Sequence, residues 1–268
     1  SYASKKGDFL ITANVDGHEI DLSGARSVWF WKPLLPKVLR TLEPSTDQIF
    51  VYRQFGAMWR SIVSLLSDCL WINEYYKMMA AEHKPYQLQV ASQLGFSVPD
   101  TCITSDPGKA QEFLRYCDKE VVFKPLILSP TEDSVLFTNK VTEAFMDQIE
   151  RLKSSPVIFQ RLVPHKHELR ITVVGEKIFP AEVISESALD WRRNKIEVKP
   201  YNLPVEMHEL CLKYVRQLGL QYSCIDMIVT PDNQYVFLEI NHNGQWGFVE
   251  QYSGFPIGKA IAHLLVRR

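Results

Sequence analysis

The sequence predicts an α+β protein, and three features carry that prediction. Strand-forming runs at 157–163, 168–174 and 177–183 are separated only by Pro164-His165-Lys166 and Gly175-Glu176, the spacing of an antiparallel meander. A second pair of runs, Met227–Val229 and Tyr235–Leu238, flanks Pro231-Asp232-Asn233, where proline fixes φ and Asp and Asn tolerate left-handed backbone, so a hairpin is expected. Around these strands lie helical stretches with their own start and stop residues.

In chain order, Phe9 to Leu22 forms two short alternating runs around Asp16-Gly17, a hairpin signal. Val28-Trp29-Phe30-Trp31, closed by Pro33, predicts a buried strand. From about Thr46 to Ala80 apolar residues recur at three- and four-residue spacings, which predicts one long helix with Trp59 and Trp71 in the core. A new unit opens at His83-Lys84-Pro85. It comprises a helix to Leu94 closed by Gly95, a strand Thr101–Thr104, a helix Pro107–Tyr116 capped by Asp106, and a strand Val121–Lys124. Residues 126–140 predict strand, turn and strand, and residues 142–152 a helix. A helix Val205–Leu218, stopped by Gly219, precedes the second hairpin, and a helix Ile257–Val266 follows it.

The 268 residues are 46% hydrophobic with a formal net charge of −1, which suits a globular protein with a sizeable core and two or three lobes. Bulk electrostatics gives no reason to expect nucleic acid, so any anion site must be built from particular Lys and Arg residues. The five cysteines are odd in number and lack metal-ligand spacing, which predicts free thiols and a cytoplasmic protein. Neither a signal peptide nor an apolar run of membrane length is found. Because the chain starts at Ser1, residues before it are expected to have been removed or left out.

Chemistry concentrates in the second hairpin. Glu239 and Asn241 lie two apart on one strand and share a face, and Asp226 on the other strand can join them. Three hard oxygen donors in that arrangement suit Mg²⁺; the alternative is a polar strand face open to water. Lys124 closes an apolar strand and must reach an anion or water. Arg170 alternates with Leu169 and Ile171, so it faces away from them. In a cleft its planar fork would clamp phosphate or carboxylate, whereas on a solvated edge it would only keep the strand soluble. Asp190-Trp191-Arg192-Arg193 adds two further guanidiniums beside an aromatic. His165, His167 and His242 have no fourth ligand at zinc spacing.

Lys84, Lys124, Gln160-Arg161-Leu162-Val163, Arg170, Asp226, Glu239 and Asn241 fall in an order and spacing that resembles the ATP-grasp carboxylate ligases. Lys84-Pro-Tyr-Gln-Leu, Val98 to Pro107, Glu168 to Gly175, Asp190-Trp-Arg192 and Phe237 to Trp246 look like the peptide maturases of that superfamily, the microviridin-type or graspetide synthetases. The resemblance covers about residues 26–266 and implies an ATP-grasp fold. An N-terminal domain at 1–82, shortened relative to the family, would precede a central lobe at 83–156 and a C-terminal lobe at 157–268, the two lobes clasping ATP.

By position the resemblance implies that Lys84 and Lys124 reach nucleotide phosphates, that Gln160, Arg161 and Val163 belong to the hinge that reads adenine, and that Glu168 reaches the ribose. Asp226, Glu239 and Asn241 would hold Mg²⁺, and Arg170, with Asp190 and Arg192, would serve the reacting centre. There are two departures besides the shortened start. Relatives often have an acidic residue in place of Arg161, and the stretch Leu126–Asp133 lacks the glycines that relatives lay over the phosphates. The implied activity is phosphorylation of an Asp or Glu side chain of a ribosomal precursor peptide, held by its leader, followed by ester or amide ring closure; a homodimer is compatible with it. Two other readings stand beside it: a ligase adding free amino acids to a protein or small acid, and a nucleotide-binding module without turnover.

Overall fold

The computed structural model describes residues 1–5, 8–31, 46–127, 138–185 and 196–266. At the start, β1 (Tyr2–Lys5), β2 (Asp8–Val15) and β3 (His18–Asp21) form an antiparallel sheet. Asp16 and Gly17 both take positive φ, 50° and 86°, as the two-residue turn between β2 and β3 requires. A short strand β4 (Ser27–Trp29) follows, then α1 (Thr46–Leu65), β5 (Leu70–Ile72) and α2 (Tyr75–Ala81). The single helix expected from Thr46 to Ala80 is therefore two helices with a strand between them. Leu70-Trp71-Ile72 is a continuous apolar run that pairs in parallel with β4, and that tertiary pairing overrides the helical period. Trp71 is buried, and it packs with Phe30, Val63, Leu66 and Met78 in the core of this unit.

The central unit contains α3 (Lys84–Leu94), β6 (Thr101–Thr104), α4 (Pro107–Tyr116), β7 (Val121–Lys124), β8 (Asn139–Lys140), α5 (Glu143–Met146), a 3-10 turn Ile149–Ser154, and β9 (Val157–Arg161). Asp106 caps α4 by accepting from Gly108 N–H at 2.7 Å, and Gly95 ends α3 at φ 102°. The four strands pair antiparallel in the order β6-β9-β7-β8, and α4 and the 3-10 turn cover the sheet around Ala110, Leu114 and Phe159. Thus β9, which the expected boundary at 157 assigns to the C-terminal lobe and to a meander with the next two strands, belongs instead to the central sheet. The helix expected at 142–152 is α5 followed by the 3-10 turn.

The C-terminal unit is β10 (His167–Val174), β11 (Lys177–Ser185), β12 (Ile196–Pro200), α6 (Val205–Gln217), β13 (Tyr222–Val229), β14 (Tyr235–Asn241), α7 (Gly247–Ser253) and α8 (Ile257–Leu265). Its five antiparallel strands run β12-β11-β10-β13-β14. Alternation then divides each strand between two cores. Leu169, Ile171, Ile225 and Met227 pack with α3 and α6, while Val174, Ala181, Tyr222 and Cys224 pack with α7 and α8. No helix among the described residues is long and apolar enough to cross a membrane. All five cysteines are free thiols.

Candidate active site

Sheet register places three charged residues in one row. Arg170 on β10 is directly opposite Asp226 on β13, which is directly opposite Glu239 on β14. Beyond that row the register shifts, so Met227 faces Phe237 and Leu238 is the extra residue, a bulge of the kind that re-aims side chains beside sites. Asn241 falls opposite Cys224, on the same face as Glu239.

The side chains form a connected network. Arg170 Nη1 donates to both oxygens of Asp226, at 2.7 and 2.9 Å, and its Nη2 donates to the Gln245 carbonyl at 3.2 Å. Asn241 Nδ2 bridges Asp226 Oδ2 at 3.0 Å and Glu239 Oε1 at 3.1 Å. Lys84, in the first turn of α3, donates to Glu239 Oε2 at 2.8 Å. Arg170 is 3% exposed and Asp226 8%, so the solvated-edge reading of Arg170 does not hold. Burial alone would lower the guanidinium's pKa; the Asp226 carboxylate more than reverses this and keeps it charged. His242, which follows Asn241, is pushed down to about 4 by burial and then by Lys84, so it adds no charge near neutral pH.

In front of this row lies a cleft between the four-stranded and five-stranded sheets. It is lined by Lys124, Gln160, Arg161, Val163, His165, Glu168, Asp226 and Glu239 among others. Seven of the twelve residues expected at the site thus meet in one cavity, and Arg170 and Asn241 bond directly to its Asp226 wall. Two side chains of the 160–163 run bond within the central lobe: Gln160 Nε2 donates to Thr101 Oγ1 at 3.0 Å, and Arg161 pairs with Asp100 at 2.9 Å and lies 5.2 Å over the Tyr116 ring. Glu168 sits 3.5 Å from His165, whose pKa burial lowers. Lys84 is held by Glu239, at the far end of the row from Arg170. Asp190, Arg192 and residues 128–133 lie outside the described residues.

Among the described residues no group of three or more His, Cys, Asp or Glu could hold a metal ion, so a cation here would depend on the Asn241 amide joining two carboxylates. That donor set fits Mg²⁺, a hard cation that binds through one or two carboxylates and keeps other positions for water and phosphate. The Asp226 and Glu239 charges are balanced meanwhile by Arg170 and Lys84. The residues that alternation did not reveal are the supporting ones. Gln87 bonds to the backbone of Ile240, between Glu239 and Asn241, the Tyr222 hydroxyl donates to the Gly244 carbonyl, and Gly244 lies close against Arg170.

Two sheets facing one another across a cleft, with a lysine on the first and an Arg-Asp-Glu row plus Asn on the second, define an ATP-grasp ligase, a class that uses ATP and Mg²⁺. The chain belongs to the RimK-like ATP-grasp domain family, whose family model matches residues 81–265. Over 99% of its length it is 32% identical to the macrocyclase MdnC of Microcystis aeruginosa MRC, solved with precursor peptide MdnA, covering 85% of that chain at a TM-score of 0.86. A ligase from Chryseobacterium gregarium in complex with ADP and a leader and core peptide is 28% identical, with 99% of this chain and 83% of the other covered at a TM-score of 0.84. The alpha-aminoadipate–LysW ligase LysX of Sulfurisphaera tokodaii is 22% identical over 203 residues, 71% of this chain and 69% of that protein.

Proposed function

We propose that this enzyme is an ATP-dependent peptide macrocyclase, which activates Asp or Glu side chains of a ribosomal precursor peptide as acyl phosphates and closes ester or amide rings. The observation that carries this reading is the 32% identity to a macrocyclase across 99% of the chain, together with the Arg170-Asp226-Glu239-Asn241 cluster at the cleft wall.

A carboxylate is a poor electrophile at neutral pH, and a mixed anhydride with phosphate corrects this. In the proposed division of labour Lys124 and the 160–163 backbone seat the nucleotide from the central lobe. Asp226, Glu239 and Asn241 would hold Mg²⁺, which would offset phosphate charge. Lys84, released from Glu239, turns to phosphate. Arg170, kept charged by Asp226, steadies the acyl phosphate and the oxyanion formed when a Ser or Thr hydroxyl or a Lys amine of the same peptide attacks. Both reactants belong to one bound chain, so the gain lies mostly in orientation and in shielding from water.

Similarity to LysX favours a second reading, addition of a free amino acid. Mass spectrometry of a co-expressed precursor separates the two. Loss of one water per ring supports the cyclase, gain of an amino-acid residue supports the second reading, and an unmodified peptide with ATP consumed supports neither.

A further inference from the structure

Behind the Arg170-Asp226 pair the sheet is closed by the loop that follows β14. Gly244 lies so close to the sheet that a Cβ there would stand 2.6 Å from Arg170 Nη2 and 2.6 Å from Cys224 Cβ. Several bonds hold the loop in that position, one of them from Cys224 Sγ to the Gln245 carbonyl at 3.8 Å. Gly244 N–H donates to the Asn241 carbonyl at 3.1 Å, the Tyr222 hydroxyl donates to the Gly244 carbonyl at 2.6 Å, and the Gln245 carbonyl accepts from Arg170 Nη2 at 3.2 Å. Tyr222 is on the same face of β13 as Asp226 and is 1% exposed. Its own backbone is fixed by Asn73, whose Oδ1 accepts from Tyr222 N–H at 2.8 Å and whose Nδ2 donates to the Tyr222 carbonyl at 2.8 Å and the His242 carbonyl at 2.9 Å.

The arginine needs this support. Both Asp226 oxygens bond to a single nitrogen, Nη1, and Nε has no hydrogen-bond partner among the described residues. A contact through one nitrogen is a pivot, unlike the two parallel bonds of a fork. The Gln245 carbonyl on Nη2 supplies the second point that sets the plane of the guanidinium.

We propose that Tyr222 is a positioning residue for Arg170, holding the Gly244 carbonyl so that the Gln245 carbonyl locks the guanidinium in the plane the reaction requires. This rests on the role assigned above to Arg170 at the acyl phosphate. When the guanidinium swings, water attacks the acyl carbon, the carbon–oxygen bond to phosphate breaks, phosphate leaves and the carboxylate returns. ATP is then consumed without product.

The test is Tyr222→Phe, which removes the hydroxyl and keeps the ring, with ADP release and modified peptide measured separately. Expected is a fall in product-forming kcat of roughly 10- to 100-fold, as misplacement of a reacting group brings. KM for ATP should stay unchanged, and the ratio of ADP to product should rise. Gly244→Ala, which presses on Nη2 directly, should show the same uncoupling, and the double variant should fall short of the sum of the two effects. A wild-type ADP-to-product ratio in Tyr222→Phe would overturn the proposal, as would losses in kcat that follow the folded fraction in thermal melts. Since product is scored by mass as water lost or amino acid gained, a wild-type enzyme that adds an amino acid would end the cyclase reading and leave Tyr222 judged by the same ratio.

Discussion

Glu239 is the residue on which most of the site's charge balance turns, since it accepts from Lys84 at 2.8 Å and from Asn241 at 3.1 Å while standing opposite Asp226. Glu239→Gln removes one carboxylate charge at nearly constant shape. ATP turnover should fall by roughly 100-fold or more, in line with loss of one electrostatic group at a reaction centre, while thermal melts show the fold intact. Normal product formation with normal Mg²⁺ dependence would refute the ligand assignment. Lys124 belongs to the opposite wall of the cleft. In Lys124→Ala calorimetry should show ADP binding weaker by roughly tenfold or more, because a hydrogen bond to a charged group contributes about 1.5–3 kcal/mol. Peptide affinity should not change, and unaltered nucleotide affinity would return this lysine to a surface role. The positions of these residues were legible in the sequence, because a period of two places Arg170, Glu239 and Asn241 on definite faces. Their partners were not, because helices cover both faces of the sheet and alternation cannot say which face also carries the site.

At the level of elements, β14 is the last strand of its sheet, and the outward backbone groups of Ile240 would be stranded without a partner. Gln87 on α3 supplies one. Its Nε2 donates to the Ile240 carbonyl at 2.9 Å, its Oε1 accepts from Ile240 N–H at 3.2 Å, and the residue is 1% exposed. Ser97 continues this closure, its carbonyl accepting from Phe237 N–H at 2.8 Å. Ile240 lies between Glu239 and Asn241, so Gln87 fixes the strand that presents both. Gln87 Nε2 also donates to the Ala81 carbonyl at 2.7 Å, so Gln87→Ala leaves three backbone groups without this partner, which should cost about 3 kcal/mol or more in denaturant titrations, each such group being worth about 1–3 kcal/mol. A loss below about 0.5 kcal/mol, the range of ordinary surface substitutions, would mean the edge is closed by other contacts. Local signals located most elements here: the Asp106 cap, the Gly95 stop and the Asp16-Gly17 turn all stand where expected. What failed were choices made by distant partners. The pairing of β5 with β4 and the inclusion of β9 in the central sheet depend on strands far away in sequence, and no local period carries that information.

On the scale of the whole molecule, the two sheets face each other across the cleft, and a peptide must bring a carboxylate to the Arg170-Asp226 wall while the rest of its length finds purchase elsewhere. A core that is moved by ring closure cannot itself be the permanent grip. The proposed grip is on a leader segment, along the β10-β11 hairpin. Arg170 and Glu168 on β10 already belong to the site, and β11 pairs directly with β10, so a leader ordered on this hairpin is coupled to the strand that carries the arginine. Binding energy from this remote segment would be used to orient the reacting carboxylate rather than only to hold the substrate. A precursor lacking its leader should therefore be processed with kcat reduced as well as KM raised. Leader supplied as a separate peptide should restore part of kcat by ordering the site. Ring formation counted by mass spectrometry on full-length, leaderless and leader-supplemented substrates checks this. Leaderless core cyclised as fast as the full precursor would remove the grip from this hairpin.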